Sequence, residues 1–455
     1  LTLAAAVDPG WWTTIYTALL FVIIEPLTGY VVEPFLYGHS TGLSPMSVIV
    51  AAVFWTWIWG PVGLILSTPL TLCLVVMGRH VKSLEFFDVM LGDRPALSEV
   101  NRFYQRTLAN DPDEALDQAE KMLADRSLVD YYDSVVLPGL KLAAADEAGV
   151  TAYGSFSSGR ETTAVANSAG VRVGGTRTVA QLLTVSMGPD GGSGYAEGAA
   201  VDIDDIDAAG IGGEAAGKAR ATANAVAIDA GDYPVVLEEY AVVDLLDMLG
   251  YLGFSALAVQ EERSFVEIGK RIGSDLVSIV DDGQDPASLP MAFDYEGVAK
   301  QRVPLLDGGV CRGVVYDSQT AARDGKRSTG HGLPAPNPWG PFPLNMVMAP
   351  GSQSREDLIA GLDRGLLVTR FHYTNPVHPK LAIITGMTRD GTFLVEDGQI
   401  VGPVRNLRFT QSYLDALACT VGIARDRKTL KGFLGGVVVP AIRLEGWTFT
   451  GTTEH

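Results

Sequence analysis

No Asp, Glu, Lys or Arg occurs between Glu33 and Arg79, and this long uncharged stretch restricts the available folds more than any other feature of the chain. Soluble helices seldom continue so far without a charge, whereas a membrane-spanning helix needs about 20 mainly apolar residues. Residues 11–32 and 47–77 both reach that length. We therefore predict two membrane-type segments, with a buried helix pair of a soluble protein as the alternative.

Both segments are interrupted. Glu25-Pro26 lies past the middle of the first, and three helix-breaking residues lie inside the second: Pro61, Gly63 and Pro69. Such residues favour a broken hydrophobic hairpin over one straight helix. A short basic flank follows it, made of Arg79, His80 and Lys82. The positive-inside rule places this flank, and the body after it, on the cytoplasmic side.

The remainder of the chain is acidic. The 455 residues carry 53 Asp and Glu against 34 Lys and Arg, a formal net charge of −19, yet the mean hydropathy is +0.19. Acidic and apolar residues must therefore lie in different parts of the chain, as in a membrane segment joined to a soluble body. The acidity argues against nucleic-acid binding, which requires a basic surface. The three cysteines lie far apart, which argues against a disulfide framework and favours a reducing compartment.

A series of short motifs marks the first 81 residues: Glu33-Pro34, Tyr37-Gly38, Ser40-Thr41-Gly42-Leu43-Ser44-Pro45, Trp59-Gly60-Pro61-Val62-Gly63, Thr68-Pro69-Leu70 and Gly78-Arg79-His80-Val81. Together they resemble the last membrane segments of the autoinducer exporter-like (AI-2E, PerM) transporter family. The resemblance implies that residues 1–80 are the membrane hairpin remnant of a transporter and that residues 81–150 are its acidic helical tail. A complete transport path cannot be built from this remnant. The chain starts at Leu1, so we expect it to begin inside a longer gene.

Near Val150 the composition changes to glycine-rich turns and β-branched runs, which indicate strands. We predict an α+β body rich in antiparallel sheet. Its predicted strands cover 162–187 (with turns at Gly170 and Gly174-Gly175), 234–237, 366–371, 381–386 and 391–395. Its predicted helices cover 204–230, 239–249 and 354–362, the last capped by Ser352 or Ser354. Residues 188–198 are predicted to be a flexible loop.

A second series of motifs runs from Tyr233 to Val404. It includes Tyr233-Pro234-Val235-Val236-Leu237, Asp281-Asp282-Gly283, Phe293-Asp294-Tyr295-Glu296-Gly297-Val298, Ser328-Thr329-Gly330, Gly365-Leu366-Leu367-Val368-Thr369, Thr385-Gly386-Met387 and Gly391-Thr392-Phe393-Leu394-Val395-Glu396-Asp397-Gly398. These motifs resemble the TldD/PmbA family, whose members are also called modulators of DNA gyrase and metalloprotease TldD/E. The resemblance implies part of the family's N-terminal domain over 151–231 and its C-terminal domain over 232–455.

Catalytic members of this family are zinc peptidases with an H-E-x-x-x-H helix, in which two imidazoles hold the metal and the glutamate activates its water. The resemblance places Asp247, Met248 and Leu252 at those three positions, and this set cannot do that chemistry. Cys419 lies near the position of a further ligand, without the surrounding motif. The resemblance thus implies the TldE/PmbA branch, a non-catalytic partner of a TldD-like subunit. We expect no cofactor in this chain and zinc in that partner.

The remaining histidines and acids do not suggest a rebuilt site. His372 and His378 lie about 20 Å apart in an extended chain, and Pro376 is expected to break the strand between them. Asp281-Asp282 and Asp390 lie in predicted turns, where acids usually cap their own backbone. Ser328 and Thr329 are close to His331, but the sequence shows no third member of a triad. The glycine-rich residues 188–198 lack the Lys-Ser/Thr of a phosphate loop.

One binding strip is predicted, formed by Arg370, Phe371, His372, Tyr373 and Arg389. Its aromatic rings and basic flank suit an extended peptide bound by strand addition. Ordinary sheet packing is the alternative for the same residues.

We therefore expect a TldE-like, non-catalytic subunit of a cytoplasmic metallopeptidase complex that acts on peptides, fused behind a transporter remnant. Two other functions stay open: an active zinc metallopeptidase of the same family, and a membrane transporter-family protein with an appended domain. A joining of two gene fragments is also open. We expect membrane association with the body in the cytoplasm, or a cytoplasmic protein if the N-terminal segment comes from such a joining.

Overall fold

The computed structural model describes residues 45–80 and 149–453, without 169, 189 and 434, and a few isolated positions between 12 and 135. The chain divides into two compact units, residues 1–102 and 103–455. The predicted segment 11–32 and the predicted acidic tail 81–150 lie almost entirely outside the described residues.

Two helices form the described part of the first unit, α1 (Pro45–Trp59) and α2 (Pro61–His80). The predicted break is present, at Gly60 with φ 63°, and Pro61 opens the second helix, where its missing N–H costs no hydrogen bond. Gly63 and Pro69, also expected to interrupt the segment, both lie inside α2. Trp55 Nε1 donates to Thr71 Oγ1 at 3.0 Å and ties the two helices together. Among the described residues, no helix combines the length and the apolar character needed to cross a membrane.

The continuously described part of the second unit opens with an antiparallel three-stranded sheet: β1 (Thr151–Ala166), β2 (Arg172–Met187) and β3 (Ser193–Ala200). The predicted turn at Gly170 is present, but Gly174-Gly175 lies within β2, where the missing side chain of Gly175 admits the Phe293 ring. The loop predicted over 188–198 is also wrong after Gly192. There β3 packs closely on helix α3 (Ala208–Ala221), and a Cβ at Gly194 would lie 2.1 Å from the Ala215 carbonyl oxygen.

The main sheet has eleven strands. Their bounds are β4 (Gly231–Leu237), β5 (Ile279–Asp281), β6 (Val303–Asp307), β7 (Val310–Cys311), β8 (Met346–Met348), β9 (Arg364–His378), β10 (Ile383–Glu396), β11 (Gln399–Pro403), β12 (Leu407–Ser412), β13 (Thr420–Lys431) and β14 (Gly436–Thr452). The order is β11-β10-β9-β4-β14-β8-β5-β6-β7, with β12 beside β10 and β14, and β13 beside β14. Only the β4–β9 and β14–β8 pairs are parallel, so the predicted α+β body with mainly antiparallel sheet is confirmed.

Five helices accompany this sheet: α4 (Glu239–Leu252), α5 (Ala256–Gln260), α6 (Ser318–Arg323), α7 (Arg355–Ala360) and α8 (Tyr413–Ala418). The predicted strand and helix at 234–249 are confirmed as β4 and α4. Ser354 caps α7 in a capping box with Asp357, so the second of the two predicted caps is the correct one.

β9 and β10 are longer than predicted. β9 continues through Pro376, which pairs with Ile384, and the expected break is replaced by irregular register in a continuous strand. The strands predicted at 381–386 and 391–395 are one strand, β10. Asp390 at φ 54° and Gly391 at φ 139° form an irregularity within it rather than a turn between two strands.

The core of the main sheet contains an aromatic cluster of Phe371, Phe409, Tyr413 and Trp447. The Phe371 ring stacks on Trp447 with centroids 4.8 Å apart and lies 4.7 Å from Phe409. Trp447 and Tyr413 are completely or almost completely buried. Because successive residues of a strand point to opposite faces, Phe371 faces this core while His372 faces away from it.

This packing predicts opposite results for two neighbouring aromatic substitutions. Phe371→Ala should lower the free energy of unfolding of the body by about 3–5 kcal/mol, because it leaves a cavity among the rings. Tyr373→Ala, at a side chain that is 74% exposed, should change it by less than about 0.5 kcal/mol. Urea unfolding followed by near-UV circular dichroism measures both values. Equal effects of the two substitutions would contradict the assignment of Phe371 to the core.

Candidate functional site

The site to be tested lies on α4, which follows β4 directly. Apolar residues cover the face of α4 that packs on the sheet, among them Leu245, Leu246 and Leu249, all fully buried. Two acids, Asp244 and Asp247, are three residues apart and therefore share another face of the helix. This face is the one on which the zinc motif of catalytic TldD/PmbA members would begin.

Asp244 is committed to hydrogen bonds. Its two carboxylate oxygens accept the Thr374 hydroxyl at 2.7 Å and the Tyr413 hydroxyl at 2.8 Å. Burial raises the pKa of Asp244, and the two hydroxyls partly oppose that rise. The residue thus joins α4 to β9 and α8. Asp244 is not among the predicted site residues, although an acid three residues before Asp247 on a mainly apolar helix is a readable signal.

Asp247 holds the turn between β13 and β14. Its Oδ2 accepts the Phe433 N–H at 2.8 Å, and the carboxylate packs so closely on Gly432 that a Cβ there would lie 2.7 Å from Oδ1. Burial raises the pKa of Asp247 to about 7, and the nearby Asp244 and Glu197 contribute to the rise. Near neutral pH this carboxyl group is therefore protonated in only part of the molecules.

Both acids line a small cavity of about 170 Å³. Its other polar or charged lining residues are Tyr195, Glu197, Tyr240 and Arg370. Glu197 accepts the Tyr195 hydroxyl at 2.6 Å and the Gln181 amide at 2.7 Å, so both of its oxygens are occupied. The cavity is thus lined by groups that already have partners in the protein.

The α4 positions do not fit a catalytic zinc ion. Met248 packs against the hydrophobic core, and Leu252 is 4% exposed. Only Asp247 offers a ligand atom, whereas a catalytic zinc site needs three protein ligands. Within the described residues, no three His, Cys, Asp or Glu side chains are grouped to hold a metal ion. We therefore derive no chemical step through a metal in this chain.

The predicted peptide-binding strip does not form one surface. Phe371 points into the core, whereas His372 and Tyr373 are exposed. Arg370 turns inward, donates from Nε to Asp390 at 2.7 Å and stacks over the Tyr195 ring at 4.3 Å. Arg389 Nε lies 3.8 Å from the same carboxylate. The structure thus brings the two arginines together at Asp390, and both lie close enough to exposed His372 to contribute, after burial, to a lowered pKa of that residue.

The loop histidines also lie apart. His372 and His378 are exposed on β9, where His378 Nδ1 accepts the Leu381 N–H at 3.3 Å. His331 is fully buried, with Nδ1 2.9 Å from Thr329 Oγ1 and Nε2 2.7 Å from Asp281 Oδ1. Asp281 is therefore the third residue beside Thr329 and His331, which the sequence did not show.

Thr329, His331 and Asp281 are hydrogen-bonded in the order of a catalytic triad, but the histidine and the acid are not accessible to a substrate. Neither His331 nor Asp281 is exposed to solvent. The Thr329 hydroxyl accepts the Tyr316 N–H at 2.8 Å and contacts the Tyr316 carbonyl oxygen at 3.1 Å. These contacts make the line a structural network. Asp282 behaves as predicted for a turn acid and accepts the Gln284 N–H at 3.0 Å.

Cys419 does not join the α4 site. Its thiol lies 3.5 Å from the carbonyl oxygens of Ala416 and Gly446, and it is absent from the lining of the cavity beside Asp247. The position expected to carry a further ligand thus contributes none here.

Comparison with known proteins agrees with this architecture. The family model for the PmbA/TldA metallopeptidase C-terminal domain matches residues 230–451, and that for the central domain matches residues 108–223. The AI-2E family transporter model matches residues 1–82. The central-domain match thus begins inside the stretch 81–150, which the motifs had assigned to a transporter tail.

Individual relatives cover different parts of the chain. The metalloprotease TldD homolog of Haemophilus influenzae is 28% identical over 52% of this chain and 52% of its own length. The corresponding homolog of Buchnera aphidicola from Acyrthosiphon pisum is 26% identical over 41% of each chain, so this chain spans about half or less of these relatives. The AI-2 transport protein TqsA of Escherichia coli is 34% identical over 17% of this chain and 24% of its own length.

A solved structure shares the fold. TldE from Thermococcus kodakarensis superposes with a TM-score of 0.62 at 24% identity, covering 69% of this chain and 74% of its own. The two family matches together cover most of the chain, in the order expected for consecutive domains. The chain therefore belongs to the PmbA/TldD metallopeptidase family through its central and C-terminal domains, and it opens with a segment of the AI-2E transporter family.

Proposed function

We propose that this chain is a TldE-like, non-catalytic subunit of a cytoplasmic metallopeptidase complex that acts on peptides, and that a TldD-like partner subunit carries the zinc. One observation supports the proposal most directly: Asp247, at the first position of the zinc motif, is hydrogen-bonded to the Phe433 N–H. The other two motif positions are Met248 and the buried Leu252, which lack ligand atoms. The side chain at the position of the first zinc ligand thus makes a hydrogen bond that stabilises the turn after β13.

The competing enzyme function is an active zinc metallopeptidase made by this chain alone. It would require ligands at positions that here hold a partly buried thioether packed against the core and a buried leucine. A water-activating residue is also missing at Met248, because a thioether cannot act as a general base.

A second function is favoured by the match of residues 1–82 to the AI-2E transporter family. In this alternative the N-terminal segment would set the role, as a transporter-family membrane protein with an appended domain. Flux measured in proteoliposomes that contain this chain alone tests it, and we expect none. We propose that the segment serves to associate the body with a membrane, which fractionation of cells that express the full chain would check.

Metal analysis tests the subunit proposal. The purified chain should contain less than about 0.1 equivalent of zinc and should not cleave peptides, because α4 provides one ligand where a catalytic site needs three. Reconstitution with a TldD-like subunit that has an intact H-E-x-x-x-H helix should yield one zinc per pair and cleavage that a chelator abolishes.

Matched substitutions in the two subunits test which of them carries the catalytic residues. Met248→Ala in this chain should leave cleavage by the reconstituted pair within about twofold, because Met248 has no role in proton transfer. Alanine at the glutamate of the partner's zinc helix should abolish it. Chelator-sensitive cleavage by this chain alone would overturn the proposal and favour the active-enzyme alternative.

The raised pKa of Asp247 gives a second test, by pH. An unfolded Asp has a pKa near 3.9, and in the folded protein that of Asp247 is about 7. The folded state holds this proton more tightly, so its stabilising effect is complete below about pH 4 and is lost as the pH rises through about 7. The loss amounts to at most about 4 kcal/mol, since one pKa unit corresponds to about 1.4 kcal/mol.

Asp247→Asn keeps the shape of the side chain and removes the titration. The free energy of unfolding of the wild type should therefore fall relative to this variant between about pH 4 and pH 8. Urea unfolding at several pH values measures the difference. Asp426→Asn removes the same charge at an exposed acid and serves as the control. A difference between the wild type and Asp247→Asn that stays constant with pH would contradict the raised pKa of Asp247.

A further inference from the structure

A cavity that the proposed subunit role does not use lies at the junction of the central and C-terminal domains. Its volume is about 530 Å³, within the range of about 300–1,000 Å³ typical of small-ligand sites, which often form between domains. One wall is formed by residues 190, 191 and 193 and by the residues that follow α3. The other is formed by β10, the β11–β12 connection and Thr453, just after β14.

Hydrogen bonds fix both walls before any ligand binds. On the central-domain side, the Thr222 hydroxyl accepts the Ser193 N–H and donates to the Ser193 carbonyl oxygen, both at 2.8 Å. Across the junction, Val226 N–H donates to the Pro403 carbonyl at 3.1 Å, and Arg405 N–H donates to the Val226 carbonyl at 2.9 Å. A preformed cavity saves the entropy that a flexible one would lose on binding.

Two charged side chains, one cation and one anion, line this cavity. Arg405 and Asp190 are both exposed and line this cavity. Neither side chain makes an ion pair or a hydrogen bond with any residue that the structure describes, and they do not pair with each other. In a chain where most of the body's other arginines have a carboxylate or carbonyl partner, Arg405 is available for a ligand.

We propose that this cavity binds a short peptide with free termini, whose carboxylate meets Arg405 and whose ammonium group meets Asp190. A guanidinium presents paired N–H donors that match the two oxygens of a carboxylate. A ligand that is only anionic, such as phosphate, would leave Asp190 without a partner, and one that is only cationic would leave Arg405 without one. A zwitterion satisfies both groups. This inference goes beyond the proposed function, because it concerns neither α4 nor a zinc-bearing partner.

Titration calorimetry of the full chain with tri-alanine tests the proposal. Tri-alanine should bind, and capping either end, as the C-terminal amide or the N-acetyl peptide, should weaken binding by about tenfold or more, because each cap removes one charge-assisted contact. Equal binding of the capped and free peptides, or no binding of tri-alanine, would overturn it.

Two substitutions test which side chain binds which end of the peptide. Arg405→Met should weaken tri-alanine by about tenfold or more and should have little further effect on the C-terminal amide, which no longer offers a carboxylate. Asp190→Asn should behave in the same way toward the N-acetyl peptide. Arg408→Met is the matched control, because it removes the same charge from an exposed position nearby on β12 that does not line the cavity.

The proposal would be overturned if the Arg405→Met variant bound tri-alanine as tightly as the wild type, or if Arg408→Met weakened binding equally. Both arginines are exposed, so circular dichroism should show unchanged folding for the two variants. Zinc content and assembly with a TldD-like subunit are measured separately, so a failure here is distinguishable from a failure of the proposed function.

Discussion

The fully buried carboxylate of Asp281 holds together the loop-rich region between β5 and β8. One oxygen lies 3.1 Å from Lys300 Nζ and 2.7 Å from His331 Nε2, and the other accepts the Asn345 N–H at 2.8 Å. Burial opposes its charge, but His331 and Lys300 outweigh that effect and keep the pKa of Asp281 below its usual range. Removing one partner from such a network typically costs about 3–5 kcal/mol, because a buried charge is left uncompensated. Three distant loops thus depend on one side chain.

α4 uses buried carboxylates in the same way. Asp244 connects it to Thr374 of β9 and Tyr413 of α8, and Asp247 connects it to the turn after β13. These hydrogen bonds tie α4 to three other segments of the body through two side chains. Substituting either acid with alanine would therefore loosen more than the helix itself, because each partner group would lose its acceptor.

Local patterns predicted local structure well. The apolar spacing on α4 and the cap at Ser354 depend on residues a few positions apart, and both are present in the structure. Contacts between distant residues were not predictable. Phe371 is predicted to lie in a surface strip, because the sequence does not show that Trp447 packs on its ring. His331 has no predicted partner, because Asp281 lies 50 residues away in the sequence. Pro376 was expected to end a strand, yet β9 tolerates it at an irregular register with β10.

A final constraint joins the central domain to the C-terminal domain. Lys218 Nζ lies 2.7 Å from Glu214 and 2.5 Å from Glu238, and Lys428 Nζ lies 2.7 Å from both Glu214 and the Tyr240 hydroxyl. Tyr240 belongs to the first turn of α4, so the helix that carries Asp244 and Asp247 is also fixed to the central domain. Separating the domains would leave these partly buried charges without partners, which is costly. These ion pairs and hydrogen bonds therefore hold α4 and the central domain in one fixed arrangement.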